Sequence, residues 1–263
     1  MAEALIAGLC RADFDATTIF VSEPDATRRD TLKARYGINT SADNHTLVEN
    51  CETCVLAVKP QVMRSVLQPL AEVLEKYRPL LVSVAAGVTV ASLESLSGGH
   101  CAIVRAMPNT PALVGRGATA IFAGENVSST QHERAEFILQ TTGITRWLDS
   151  ESLLDVVTAL SGSGPAYFFL MMESLIEAAC KHGLDTKIAR DLCIQTALGA
   201  AELAGKSDVS LSELRRRVTS PAGTTERGVE ALQRGGIVAA ATDAIDAARL
   251  RSIELSKDSG DDS

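Results

Sequence analysis

The chain has 263 residues, 46% hydrophobic and 22% charged, with a formal net charge of −8. That composition is globular rather than disordered, and the length allows one large domain or two modest ones. The acidic balance argues against a nucleic-acid partner, and no apolar run approaches the ~18 residues of a membrane span, so neither nucleic acid nor membrane is expected.

Met1–Cys10 reads as a helix; it has no basic start, and its apolar run stops at Arg11, so it does not read as a signal peptide. From there to about 149, short apolar runs alternate with helical stretches. The runs at 18–22, 54–58, 80–84, 102–106, 118–122 and 144–148 read as strands. Continuous Val/Ile/Leu strands suit a sheet buried on both faces. Helices are expected at 24–36, 60–77, 90–96 and 129–141, with Pro24 and Pro60 in first turns. The alternation predicts an α/β domain over 1–149, a Rossmann-like doubly wound parallel sheet.

After Ser150 the strand signals vanish, and 150–263 reads as all-helical. Ser163-Gly-Pro165 opens a helix to about His182, and Asp185 or Thr186 caps another ending near Gly205. Ser210 starts a short third and Thr224 a fourth. The last runs from Gly236-Ile-Val to about Lys257, and the residues beyond read as frayed. The apolar faces of these helices could be core or subunit interface, and helical spacing alone does not separate the two.

Six cysteines are scattered along the chain, which is no secreted disulfide framework, and a reduced cytoplasmic protein is expected. Cys51 and Cys54 form a CxxC, yet no second CxxC exists and only His45 stands near it, so the pair reads as two thiols at a strand entrance. No metal site is expected. Val218-Thr-Ser-Pro-Ala-Gly-Thr-Thr-Glu-Arg-Gly-Val-Glu-Ala-Leu232 crowds hydroxyls, a proline and a glycine ahead of a helix. It is either an ordinary capped turn or a small-anion pocket, since the first amides of a helix lack internal acceptors.

That stretch is similar throughout to the signature of the pyrroline-5-carboxylate reductase family. Ala57-Val-Lys-Pro60, Val84-Ala-Ala-Gly87, Arg105-Ala-Met-Pro-Asn-Thr-Pro111 and Leu160-Ser-Gly-Ser-Gly-Pro-Ala-Tyr167 match in order, and the resemblance covers nearly the whole chain. One departure stands out. The family opens with a strand and a Gly-x-Gly-Asn-Met type turn, whereas this sequence resembles it only from that methionine onward. A late start or a truncation is the expected reason, and it bears on cofactor affinity.

The resemblance implies reduction of the imine of 1-pyrroline-5-carboxylate to L-proline, the last step of proline biosynthesis, by hydride transfer from NADPH or NADH. It implies that Ser220, Gly223, Thr224 and Thr225 hold the substrate carboxylate, with the Thr225 hydroxyl the catalytic contact to the ring nitrogen. Glu151 and Thr158 resemble substrate-side residues. Ser22 and Asn44 look like adenosine-ribose contacts, with Arg28 and Arg29 close enough to tolerate a ribose phosphate. Ala57, Val58, Lys59 and Pro60 follow a strand end where dinucleotides bind. Ala85, Ala86 and Gly87 leave room for the nicotinamide. Asn109 orients its carboxamide or merely closes an Asx-turn. The helical half implies a homodimer that could assemble into a decamer, with an active site made from the α/β domain and helices including the partner's.

Two rivals remain. A β-hydroxyacid-type dehydrogenase would use a Gly-x-x-x-Lys helix, but Ala166 stands at that spacing after Gly162. A non-catalytic dimeric module that has lost its nucleotide draws support only from the missing glycine turn.

Overall fold

The computed structural model describes residues 1–258. They divide into two compact units, one of 1–163 with the chain from Ala247 onward, the other Gly164–Asp246. The expected boundary after 149 lies inside the first unit, which runs on to Ser163 and also takes in the end of the last helix.

In chain order the first unit contains α1 (Ala2–Arg11), β1 (Phe20–Ser22), α2 (Ala26–Tyr36), β2 (Asn39–Ser41), α3 (Asn44–Asn50) and β3 (Thr53–Leu56). It continues with α4 (Met63–Leu67), α5 (Ala71–Tyr77), β4 (Leu80–Ser83), α6 (Val90–Leu96), β5 (Ile103–Met107), β6 (Gly117–Ala123), α7 (Ser129–Gln140), β7 (Gly143–Trp147) and α8 (Leu153–Val157). Side-chain caps start several of these helices. Asp25, Asp43 and Thr89 accept backbone N–H bonds at the starts of α2, α3 and α6. Ser128 and Gln131 form a reciprocal capping box on α7. Pro24 precedes the Asp25 cap and stands outside the helix, whereas Pro60 opens a 3₁₀ turn.

The sheet differs from expectation in two respects. β1 and β2 pair in parallel as a separate ribbon, and β3-β4-β5-β6-β7 form a five-stranded sheet. Within the latter, β6 runs antiparallel to β5, with Val104 opposite Ala123. Only the short 3₁₀ turn Thr110–Val114 joins them, too little chain for a parallel crossover. The stretch expected as one helix over 60–77 is broken into α4 and α5 by a 3₁₀ turn containing Pro69.

Helices pack on both faces. Cys54 and Leu56 point from β3 into a cluster with Val48, Met63, Leu67, Leu70 and Leu74. Val55 packs on the opposite cluster of Leu5, Leu80, Val82, Val104, Ile121 and Leu139. A third cluster joins Ile6, Leu9, Ile19, Leu32 and Ile38. This alternation follows from the two-residue period of a strand. Burial pushes the Cys54 thiol up to about 12 and the Cys101 thiol to about 11 and raises Cys51, so these thiols stay protonated and are poor ligands and nucleophiles.

The second unit contains α9 (Gly164–Lys181), α10 (Thr186–Gly205), α11 (Leu211–Arg217), α12 (Thr224–Arg234) and the start of α13 (Ile237–Asp258). Asp185, rather than Thr186, caps α10, and Ser210 caps α11. The stretch Leu153–Lys181 is long and apolar enough to cross a membrane by length and composition, which corrects the expectation that no run comes close. The correction arises because a π-turn links α8 to α9, although Glu173 and Glu177 punctuate the apolar face of α9.

Candidate active site

Read outward from β3, the strand order rises through β4 to β7; read from β1, it rises to β2. Chain order thus diverges from the gap between β1 and β3. In doubly wound sheets such a switch point is where ligands bind, at the carboxyl ends of the strands. A cavity of about 1120 Å³ lies there. Its lining brings together five of the expected cofactor residues, Ser22, Asn44, Ala57, Val58 and Lys59. Ser22 ends β1, Asn44 opens α3, and Ala57–Lys59 follow β3. Pro60 is the next residue but does not line the cavity.

At its rim, Arg29 donates to the carbonyls of Glu23 (2.6 Å) and Pro24 (2.9 Å), and Arg28 pairs with the Glu23 carboxylate at 3.4 Å. Both arginines therefore brace their own loop, and Arg28 is the more exposed. The Lys59 side chain is exposed and makes no ion pair among the described residues.

Ala85, Ala86 and Gly87 lie elsewhere, in the turn after β4. Gly87 has φ +76, and a Cβ there would sit 3.3 Å from Leu255 Cβ at the end of α13. Only glycine meets both demands. The next helix, α6, is anchored by Glu151, which accepts the Val90 N–H at 2.7 Å and the Arg105 guanidinium at 2.5 Å. Arg105 is 7% exposed, a buried cation in the middle of β5. The structure thus places Glu151 as an internal anchor beneath the Ala85–Gly87 turn, and its carboxylate is already committed. Arg105 belongs to the 105–111 motif, which by itself indicates no role for it. A lone arginine inside an apolar strand is the signal that could have found the pair, because buried charges need partners.

Asn109 is also committed. Its amide donates to the Ser161 carbonyl at 3.0 Å, and its oxygen accepts the Ala118 N–H at 2.9 Å. No side-chain cap bond forms on the following turn, so the Asx-turn reading is not realised. Asn109 instead pins the start of β6 to the π-turn Thr158–Gly162. Thr158, the first residue of that turn, donates back to Leu154 O of α8 at 2.7 Å. Among the expected site residues of this unit, Glu151, Thr158 and Asn109 therefore have polar atoms engaged by their own chain.

The expected anion site in the second unit differs from these. Gly223 is the N-cap of α12, with no side-chain cap. A Cβ on Gly223 would collide with the Ser220 hydroxyl, and Ala222 sits at φ 56. Glu226 reaches back to the Ala222 N–H at 2.8 Å, holding the bend. Ser220, Thr224 and Thr225 are exposed. Unlike Thr219, which donates to Arg215 O, none of the three places its hydroxyl in a hydrogen bond among the described residues. Three free hydroxyls beside uncapped helix amides make a donor set suited to a carboxylate.

Residues of the first unit also suit a dinucleotide. The strand ends at the switch point offer a serine hydroxyl, an asparagine amide and an unpaired lysine, and Gly87 keeps its turn clear of side-chain bulk.

Known proteins agree. Residues 1–87 match a family described as NADP oxidoreductase, coenzyme F420-dependent, and residues 151–255 match pyrroline-5-carboxylate reductase dimerisation. A pyrroline-5-carboxylate reductase of Pseudomonas aeruginosa is 45% identical over 99% of this chain and 95% of its own length. The solved pyrroline-5-carboxylate reductase of Coxiella burnetii is 40% identical, with a TM-score of 0.93 over 97% of this chain and 94% of that one. That of Plasmodium falciparum, solved with NADP bound, is 32% identical, with a TM-score of 0.84 over 97% and 94%. On these matches and the four motifs in order, the chain belongs to the pyrroline-5-carboxylate reductase family.

Proposed function

We propose that the chain reduces 1-pyrroline-5-carboxylate to L-proline with NADPH, NADH being the alternative donor. When bound, the reduced nicotinamide supplies the hydride. Transfer requires the donor carbon within ~3–3.5 Å of the imine carbon, so positioning carries much of the catalysis. Ser22 and Asn44 hold the adenosine ribose, and Ala57, Val58, Lys59 and Pro60 follow the cofactor across the β3 end. Ala85, Ala86 and Gly87 leave space beside the nicotinamide. In this reading Glu151 and Arg105 position that turn, and Asn109 and Thr158 keep the π-turn in shape.

The observation that carries the substrate reading is the start of α12. Its free amides and the Ser220 and Thr224 hydroxyls receive the carboxylate, and the Thr225 hydroxyl bonds the ring nitrogen. A hydrogen bond to that nitrogen polarises the imine and keeps its proton in place as the carbon accepts hydride. The exposed apolar faces of α9 and α10 support a homodimer, with a decamer as the larger assembly to test, in the cytoplasm. The test is NADPH oxidation with pyrroline-5-carboxylate. Thr225→Ala is expected to lower kcat by ~100-fold, the scale of one transition-state donor, and Ser220→Ala to act mainly on substrate KM. An inactive wild-type chain would overturn the reading.

A further inference from the structure

The starts of α7 and α12 differ in one respect. At α7 the capping box is complete: the Ser128 hydroxyl accepts the Gln131 N–H at 3.3 Å, and the Gln131 side chain accepts the Ser128 N–H at 3.0 Å. At α12 only half of such a box exists. Glu226 is the third residue of its helix, as Gln131 is, and it accepts the Ala222 N–H at 2.8 Å, one residue before the Gly223 cap. Gly223 has no side chain, so no cap oxygen takes the amides of Thr224, Thr225 or Glu226. The missing half is the one that would have closed these amides to a ligand.

The remaining half acts on a single tight turn. Ala222 stands at φ 56, a region that L residues avoid because the Cβ crowds the following carbonyl oxygen. The Gly223 N–H bonds Ser220 O at 3.0 Å, and a Cβ on Gly223 would meet the Ser220 hydroxyl. Ser220, Ala222 and Gly223 therefore move together. Among the described residues, Glu226 is the one side chain that bonds the backbone of this turn. Its carboxylate makes no ion pair among them, and the adjacent Arg227 turns to Glu230 at 3.2 Å instead. The Glu226 charge thus works against a bound carboxylate, whereas its hydrogen bond shapes the place where that carboxylate sits. An acid in a first helical turn can also act simply through its charge on the helix dipole.

We infer that Glu226 is a positioning residue of the substrate site: by holding Ala222 in the left-handed region, it aims the open α12 amides and the Ser220 hydroxyl at the substrate carboxylate. It acts through the turn and does not touch the ligand. The inference rests on the substrate reading of this turn, and it separates the bond that Glu226 makes from the charge that it carries.

The test reads binding and turnover separately, in the wild type, Glu226→Ala and Glu226→Gln. Binding uses L-proline as the probe, by titration calorimetry without cofactor; turnover gives kcat and KM for pyrroline-5-carboxylate. Glu226→Ala removes the bond. The L-proline Kd and the substrate KM should both rise at least ~10-fold, with kcat changed by less than ~2-fold. Glu226→Gln keeps an acceptor for the Ala222 N–H and removes the charge, so both constants should stay at the wild-type value or fall. Both variants lose the same charge at the helix start, and a difference between them therefore reports the bond. Glu226→Gln as weak as Glu226→Ala would overturn the inference, by making the charge the cause. Unchanged binding in Glu226→Ala would overturn it too, by showing that the turn holds itself. A wild-type chain that binds L-proline but leaves pyrroline-5-carboxylate unreduced removes the reductase reading, and the L-proline constants then decide this inference alone. A chain that does neither removes both.

Discussion

In the first unit Leu80, Leu81 and Val82 are 0% exposed, and whole helices are fixed to the sheet by residues such as Leu93 and Leu139, also at 0%. In the second, Phe168 is 70% exposed, Phe169 58%, Leu192 59% and Leu198 56%, and the only buried residues are Gly164 and Ala189. Regular helices form in both units, so local structure does not explain the contrast. The first carries its own core. The second spends its apolar residues on an outer surface, and fully covering one such side chain contributes ~1.5–3 kcal/mol. A helical unit of this kind completes its hydrophobic burial only by self-association, in keeping with the dimerisation domain matched over 151–255.

The sharpest way to break this contrast is to charge the exposed face. Phe169→Glu combined with Leu192→Glu should prevent self-association, seen as a fall in mass by light scattering. Helical circular dichroism should fall with it, and reductase activity should drop by more than ~100-fold. The α/β unit should keep its near-ultraviolet signal. A variant that stays associated and active would show that α9 and α10 are not the interface.

The next test lies within the first unit. Arg105→Met leaves the Glu151 carboxylate without its buried partner, and loss of one member of such a pair costs about 3–5 kcal/mol. Denaturant titration should show this as a lower midpoint. Glu151→Gln retains an acceptor for the Val90 N–H and should cost less. If both changes act only on stability, the pair is structural. If Glu151→Gln also raises the NADPH KM at unchanged oligomeric mass, it positions the Ala85–Gly87 turn.

Gly87→Ala is a smaller perturbation of the same turn. An alanine at φ +76 costs ~1–2 kcal/mol, and its Cβ would press on Leu255 at 3.3 Å. The melting temperature should fall modestly, with a rise in cofactor KM larger than any change in kcat. A neutral result would mean that the end of α13 gives way easily.

The same contrast governs what could be read from sequence. Six strands were visible as apolar runs because the sheet is buried on both faces. β2 was missed because Asn39-Thr-Ser41 has no apolar rhythm; it is a strand through its pairing with Phe20–Ser22. α3 was hidden in the same way, although Asp43 is an evident cap in hindsight. The antiparallel turn into β6 depends on the brevity of the connection at Thr110–Val114, which the strand pattern does not display. At the candidate site, residues carried by backbone form were legible, as with Gly87 and the Ser220–Thr225 turn. Residues whose role depends on distant partners were not. Glu151 meets Arg105 and Val90 across 46 and 61 positions, and Asn109 meets Ser161 across 52 and Ala118 across 9.

The mildest prediction separates the buried unit from the exposed one by pH. Cys54 and Cys101 belong to the first unit's core, each 4% exposed. Burial raises Cys54 to about 12 and Cys101 to about 11, against ~8.5 for an unfolded thiol. Below ~8.5 both states hold the proton, and these thiols have no effect on the pH dependence. Between the unfolded and folded values only the folded chain keeps it, so stability must fall as pH rises. Each thiol should remove ~1.4 kcal/mol by one unit above the unfolded value. Cys180 and Cys193 sit on α9 and α10, outside that core. Denaturant midpoints between neutral and alkaline pH should therefore decline less in Cys54→Ala than in the wild type, after correction for its baseline stability, while Cys180→Ala should leave the slope unchanged. An equal slope in all three proteins would mean that the buried thiols do not control alkaline stability, and that the core of the first unit opens before they ionise.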